Sequence, residues 1–331
     1  MKRILLPFLA ATTATFAQNA ADRAIATTHS AVARTQGAMA GSMLTKDMET
    51  RQAPELFPGE MEDVGPQFLI ARPQSAAPAH HWIEAYADAQ FFYTSNSLLT
   101  EKDNRDTGVM VLTVQAAITP PPFSLMGGQV STKAGYRHQW WLYSLDKTAS
   151  QLNNFDFAVS TVFLSARHSW DEKWVASVGL DYNRYLSHDN DWTEFYVELS
   201  PSWSIERNLQ IGTGQFTVGY YGAYHWTQTD PMPVQNINDR LDSAIGLFYS
   251  QELVPHLVAQ PYYRVQWSHY TENSDRNDFY NTLGLALIYT VNDWASVRTF
   301  VSYENRNSTD STVADYNKWE SGAGVTFSAS F

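Results

Sequence analysis

Trp319-Glu320-Ser321-Gly322-Ala323-Gly324-Val325-Thr326-Phe327-Ser328-Ala329-Ser330-Phe331 ends the chain, and it has two faces. One parity carries Trp319, Ala323, Val325, Phe327 and Phe331, the other Glu320, Gly322, Gly324, Thr326, Ser328 and Ser330. A period of two belongs to a β-strand with one face against an apolar medium and the other against water or small side chains. The segment exceeds the about 5 or 6 residues of an ordinary soluble strand and reaches the roughly 9 to 11 that cross a bilayer at a tilt.

Residues 319–331 resemble the C-terminal strand of Gram-negative outer-membrane β-barrels. The resemblance implies that Phe331, with Phe327 and Val325 on the same face, serves as the signal read by the barrel-assembly machinery. It also implies a bacterial outer-membrane location, with outer-membrane lipid and that machinery as partners. Met1-Lys2-Arg3, the apolar Ile4–Ala10 and Thr15-Phe16-Ala17 before Gln18 have the pattern of a cleaved signal peptide over 1–17. No stretch reaches the 18 or more apolar residues of a transmembrane helix. Cysteine is absent, so disulfides and thiolate sites are excluded. Loss of Lys2 and Arg3 takes the formal charge from −12 to −14, which argues against nucleic acid as a partner.

The 18 Tyr, 17 Phe and 11 Trp sit in a chain of negative mean hydropathy, which a soluble core does not explain and interfacial girdles do. Residues 18–80 are Ala, Thr and Gln rich and then Pro and Gly punctuated, and read as a flexible or weakly helical periplasmic leader. A sharper reading makes it a plug that enters a barrel through Phe68–Ile70. From 81 to 331 the pattern predicts an all-β fold, a transmembrane antiparallel up-and-down barrel of about 12 strands. The strands fall at 82–94, 107–119, 128–143, 154–168, 173–186, 192–206, 210–227, 239–252, 256–270, 278–291, 294–306 and 317–331. Tight connections at 171–173, 207–209, 254–255 and 292–293, and a longer link from Pro120 to Gly128, alternate with longer polar ones. Pro201 and Pro261 suggest bulges, because proline cannot donate to a ladder. Apolar residues switch parity along 154–168, from Phe157 and Val159 to Val162 and Leu164, which suggests another bulge near Ser160.

The inward parity is ionised: Glu84, Asp88, Lys133, Arg137, Asp181, Glu194, Glu198, Asp242, Arg264, Arg298 and Glu304 are the candidate pore-lining residues. Buried charges need water or partners, so this set points to a hydrated pore, an internal ion-pair network, or both. Inward Tyr86, Phe92, Trp141, Tyr196, Tyr221 and Tyr262 would narrow a passage of this strand number. The expected function is porin-like passive diffusion of ions or small hydrophilic solutes, with weak cation preference from the net acidity. The first alternative is a barrel lipid or peptide hydrolase. Of the histidines His138, His168, His188, His225 and His256, only His225 is well placed inside, and no acid is evident beside it; no catalytic residue, metal ligand or cofactor is assigned. The second alternative is a structural or adhesive barrel with a closed lumen. Oligomeric state is left open.

Overall fold

Peptide groups in hydrocarbon have no water to bond, so strands cross a bilayer only in a sheet that closes on itself. The computed structural model describes residues 80–101, 105–143, 155–171, 173–187, 192–229, 238–272 and 276–331. The expected signal peptide and all of the leader but His80 lie outside the described residues. The elements are β1 (Ile83–Thr94), β2 (Thr107–Ile118), β3 (Phe123–Leu125), β4 (Gly128–Leu142), β5 (Phe157–Trp170), β6 (Trp174–Ser187) and β7 (Thr193–Ile211). They continue with β8 (Gly214–Thr229), β9 (Arg240–Val254), β10 (Leu257–Tyr270), β11 (Asn277–Asn292), β12 (Ala295–Ser308) and β13 (Tyr316–Ser330). Twelve long strands form the wall, each antiparallel to its neighbours, and three-residue β3 pairs with the start of β4.

The ring closes where β1 meets β13, from Glu84 opposite Ser330 to Thr94 opposite Glu320. Reciprocal backbone bonds of 3.1 and 2.9 Å between Ile83 and Phe331 carry the seam to the last residue. β2 bonds β1 on one side and β4 on the other, so no long strand is left as an edge. The long strands run from 12 to 19 residues. At about 3.3 Å per residue and a tilt near 40°, even the shortest spans ~30 Å, the thickness of a hydrocarbon core.

Phe91, Val162, Leu164, Val178, Ile245 and Leu283 stand exposed around the middle of the wall. An apolar surface that encircles the molecule is stable against lipid and not against water. Aromatics bracket this belt: Tyr93, Trp192, Trp226, Trp267 and Trp319 toward one rim, and Trp82, Tyr289, Trp294, Phe327 and Phe331 toward the other. Tight turns and the seam mark the second rim, called here the turn end; the longer connections mark the loop end. Met126 and Gly127 both take positive φ, 48° and 76°, the left-handed pair that lets a two-residue turn join β3 to β4.

Several details differ from the sequence expectation. The β7–β8 turn lies at Gly212–Thr213 rather than 207–209, because β7 runs on to Ile211. The link from Pro120 to Gly128 contains β3. The ladder skips pairs beside Pro201 and Pro261, yet the register on either side is unshifted, so neither proline marks a bulge. β5 also runs without a register shift. Its parity switch arises because Phe157 and Val159 face an apolar interior while Val162 and Leu164 face lipid.

A bulge does occur at Phe195: Tyr185 opposes Tyr196, but Leu186 opposes Glu194. One extra residue exchanges the faces. Phe195 therefore turns inward against Tyr185, at 6.3 Å between rings, and Glu194 turns outward to Arg184 at 2.5 Å. Glu194 is thus not a lumen residue, contrary to its parity in the sequence.

Gly322 sits in the closing seam, where a Cβ would strike the Phe91 carbonyl and the Phe92 backbone and Cβ. Gly322→Val is expected to destabilise the barrel by about 1–3 kcal/mol. Heat-dependent gel mobility of the folded barrel will read this as a lower unfolding temperature, whereas Ser321→Val, on the exposed face, will leave the temperature unchanged.

Candidate functional site: the barrel lumen

Strand alternation delivers every second side chain to the lumen, and the lumen divides into two unlike halves. At the turn end lies a vestibule of about 1100 Å³. Its mouth is formed by His80, His81, Pro120, Pro122 and Ser330, and Ser200, Ser202, Ser204 and Thr217 line part of its wall. Its lining holds five Lys and Arg side chains, Lys133, Arg137, Arg167, Arg240 and Arg264, beside three histidines, and five acids, Glu84, Asp181, Glu198, Glu206 and Asp242. Net acidity of the whole chain therefore does not carry over to this cavity.

Above the vestibule lies an apolar cluster, called the septum here: Phe92, Val109, Val111, Trp141, Tyr143, Phe157, Val159, Tyr185, Tyr196, Ala286 and Phe300 are buried members of one contact cluster drawn from strands β11 and β12 round to β7. Trp141 stacks on Phe157 at 5.7 Å and 6°, Tyr185 meets Tyr196 edge-on at 5.0 Å, and Phe92 leans on Phe300 at 6.1 Å. This septum forms part of the vestibule's ceiling through Trp141 and Tyr185.

Toward the loop end, charged and aromatic side chains fill the remaining interior. Arg276 bonds Asp278 at 2.8 Å and lies 3.9 Å from the Tyr270 ring centroid. Lys318 sits between Glu304 at 3.2 Å and Glu320 at 3.4 Å, Tyr316 donates to Glu304 at 2.8 Å, and Arg306 covers the Tyr316 ring. Cations laid on ring faces and against carboxylates can be held away from water, which explains why Lys318 and Glu304 are each only 3% exposed.

Between the halves, β7, β8 and β9 assemble one ionic network. Glu198 accepts from Tyr196 at 3.1 Å and Asn183 at 3.0 Å, and Asn183 accepts from Thr161 at 2.7 Å. His225 lies 3.4 Å from Glu198 through Nδ1 and 3.1 Å from Asp242 through Nε2, while Arg240 reaches both acids at 3.7 and 3.4 Å. Ser200 Oγ is 2.9 Å from His225 Nδ1. Serine, imidazole and carboxylate in line are the parts of a nucleophile, base and orienting acid. Here Glu198 shares Nδ1 with the serine, so the same atoms also serve as a charge ladder. The oriented acid beside His225 was not evident in the sequence because Asp242 comes from the next strand, diagonally across the sheet. Among the described residues no group of three or more His, Asp or Glu is placed to hold a metal ion.

Seven of the eleven candidate lumen residues line the vestibule: Glu84, Lys133, Arg137, Asp181, Glu198, Asp242 and Arg264. Glu84 pairs with Lys133 at 2.5 Å and Asp181 with Arg137 at 3.5 Å. Asp88 and Arg298 face inward on the seam side, 2.7 Å apart, with Thr326 donating to Asp88. Glu304 belongs to the packed loop-end half, and Glu194 lies outside. Of the six narrowing aromatics, Trp141 and Tyr221 reach the vestibule and Phe92 and Tyr196 join the septum. Sequence reading placed Arg240 and Glu206 in strands but did not name them among the lumen residues; Arg240 stands at the first position of β9 and Glu206 lies well inside β7, which runs on to Ile211. Phe327 and Phe331, expected to belong to an assembly signal, are exposed.

No family model and no curated protein matches the chain. Among solved structures it is similar to an outer-membrane channel from Pseudomonas putida F1, at 8% identity and a TM-score of 0.51, over 78% of this chain and 99% of that one. It is also similar to the KdgM porin, at 9% identity and 0.42, over 73% and 98%, and to the β domain of the Bordetella autotransporter BrkA, at 15% and 0.41, over 76% and 100%. The first of these shows the fold alone, a closed antiparallel β-barrel shared with that channel.

Arg240 is shared by Glu198 and Asp242, so Arg240→Met leaves two buried carboxylates with His225 alone between them. The expected loss is about 3–5 kcal/mol in urea unfolding from lipid vesicles, against a much smaller loss for Arg184→Gln on the outer face.

Proposed function

We propose that the chain works in the bacterial outer membrane as a porin-like passage for ions or small hydrophilic solutes, with its loop end outside and its turn end toward the periplasm. The observation that carries this reading is the ionised vestibule of about 1100 Å³ inside a barrel girdled for lipid. Charges of both signs on a cavity wall are stable when water fills the cavity, and a water-filled barrel conducts. Five Lys and Arg side chains against five acids favour solutes by size and hydrogen bonding over a general preference for cations.

The septum favours a second reading, a barrel whose lumen stays closed. Passage requires Trp141, Phe157 and Tyr185 to swing aside, and rings in such a cluster move only if cavity and septum exchange volume. Ser200, His225 and Asp242 supply the parts of a hydrolase, and their position in the vestibule would confine it to small soluble esters or amides.

A planar bilayer separates these readings. The refolded mature chain is expected to give stepwise conductance, and Trp141→Ala, which thins the septum, is expected to raise the unit conductance or the open fraction. Silence from both proteins selects the closed barrel. Ester cleavage by the wild type, lost in Ser200→Ala with conductance unchanged, selects the enzyme.

A further inference from the structure

Most bases of the vestibule come with an acid: Lys133 with Glu84, Arg137 with Asp181, Arg240 with Glu198 and Asp242. Arg264 does not. It projects from the middle of β10 and is 94% buried, being 6% exposed, yet among the described residues it has neither an ion pair nor a hydrogen bond. Its Nε is fully covered and unbonded, and the side chain lines the vestibule, which leaves the terminal guanidinium nitrogens open to that cavity. Its ladder neighbours, Gly246 on β9 and Thr282 on β11, are small, and Ala244 and Gln266 line the cavity with it.

We infer that Arg264 is an anion subsite, built to receive the carboxylate of a small solute in the vestibule. A guanidinium presents parallel N–H groups that fit a carboxylate with two hydrogen bonds, and a buried cation without an acid is costly until such a partner arrives. The surroundings narrow the class further. Asp242 and Glu304 act on Arg264 through their charge without touching it, since each is engaged elsewhere, Asp242 with His225 and Arg240 and Glu304 with Lys318. Their field offsets part of the attraction and disfavours di- and tricarboxylates more than a single carboxylate. The ligand class is therefore a compact monocarboxylate.

This assignment deepens the channel reading, on which its part in solute passage rests; the binding itself does not depend on conduction. Isothermal titration of lactate into the detergent-folded mature chain, at ionic strength matched with sodium chloride and with tetramethylammonium as the cationic control, is the test. Wild type is expected to bind lactate saturably and tetramethylammonium without saturation. Arg264→Gln is expected to bind lactate at least ~10-fold more weakly, the usual loss for a charge-assisted bidentate contact. Arg264→Lys, which keeps the charge and loses the fork, is expected to fall between, and Arg184→Gln on the outer face to match wild type. Equal binding by wild type and the Arg264 variants, or no saturable lactate binding by the folded wild type, overturns the subsite. Should Arg264→Gln fail to fold, Arg264→Lys against wild type decides alone. Lactate binding in a chain silent in bilayers leaves the subsite and removes the channel; conductance without lactate binding does the reverse.

Discussion

The pairing of β1 with β13 is the constraint on which the rest of the molecule depends. In hydrocarbon an unpaired peptide group costs several kcal/mol, so twelve strands that failed to meet would expose two edges with no water to satisfy them. Closure divides the side chains strictly into lipid-facing and enclosed sets. It also tightens the seam, where Gly322 and Ala323 stand opposite Phe92 and Phe91 and leave room for the backbones to approach. Polar residues that would be expensive on the outside are then gathered where they can meet one another.

Gathering them creates a second problem, because a barrel of this girth is wider than side chains fill easily and narrower than a wide open pore. The chain answers differently at its two ends. At the loop end, Tyr270, Tyr280 and Tyr316 pack with Arg276, Arg306 and Lys318, so each cation has an aromatic face or a carboxylate to replace water. At the turn end, inward residues shrink to Ser200, Ser202, Ser204, Thr217 and Ala244, and space opens. The apolar septum sits at the change from one regime to the other.

The architecture was legible in the sequence because period-two alternation and turn residues are local signals, repeated strand after strand. What escaped were features decided between strands. Glu194 and Phe195 look like one more inward–outward pair until an extra residue opposite Leu186 reverses them. Pro201 and Pro261 look like defects, yet the strands pass them in register with only the adjoining ladder pairs lost. Phe157 and Val159 look misplaced on an inward parity unless Trp141 and Tyr185 are known to wait on either side. The network around His225 was partly visible as three acids and bases on separate strands, and its assembly depended on the stagger between β7, β8 and β9. Arg264 was named as a lumen residue, but that it lacks an acid can be seen only when every neighbour's partner is known.

Under the closed-lumen reading the vestibule has one door. Solute that reaches the vestibule from the turn end must leave by the same mouth while Trp141 and Tyr185 stay in place, so occupancy tracks the concentration on that side alone. Residence there is set by how tightly the walls hold the guest and hardly at all by what lies beyond the loops. The lumen is thus unequal along its length: among the described residues, buried charged and aromatic side chains lie toward the loop end, and the vestibule opens toward the turn end.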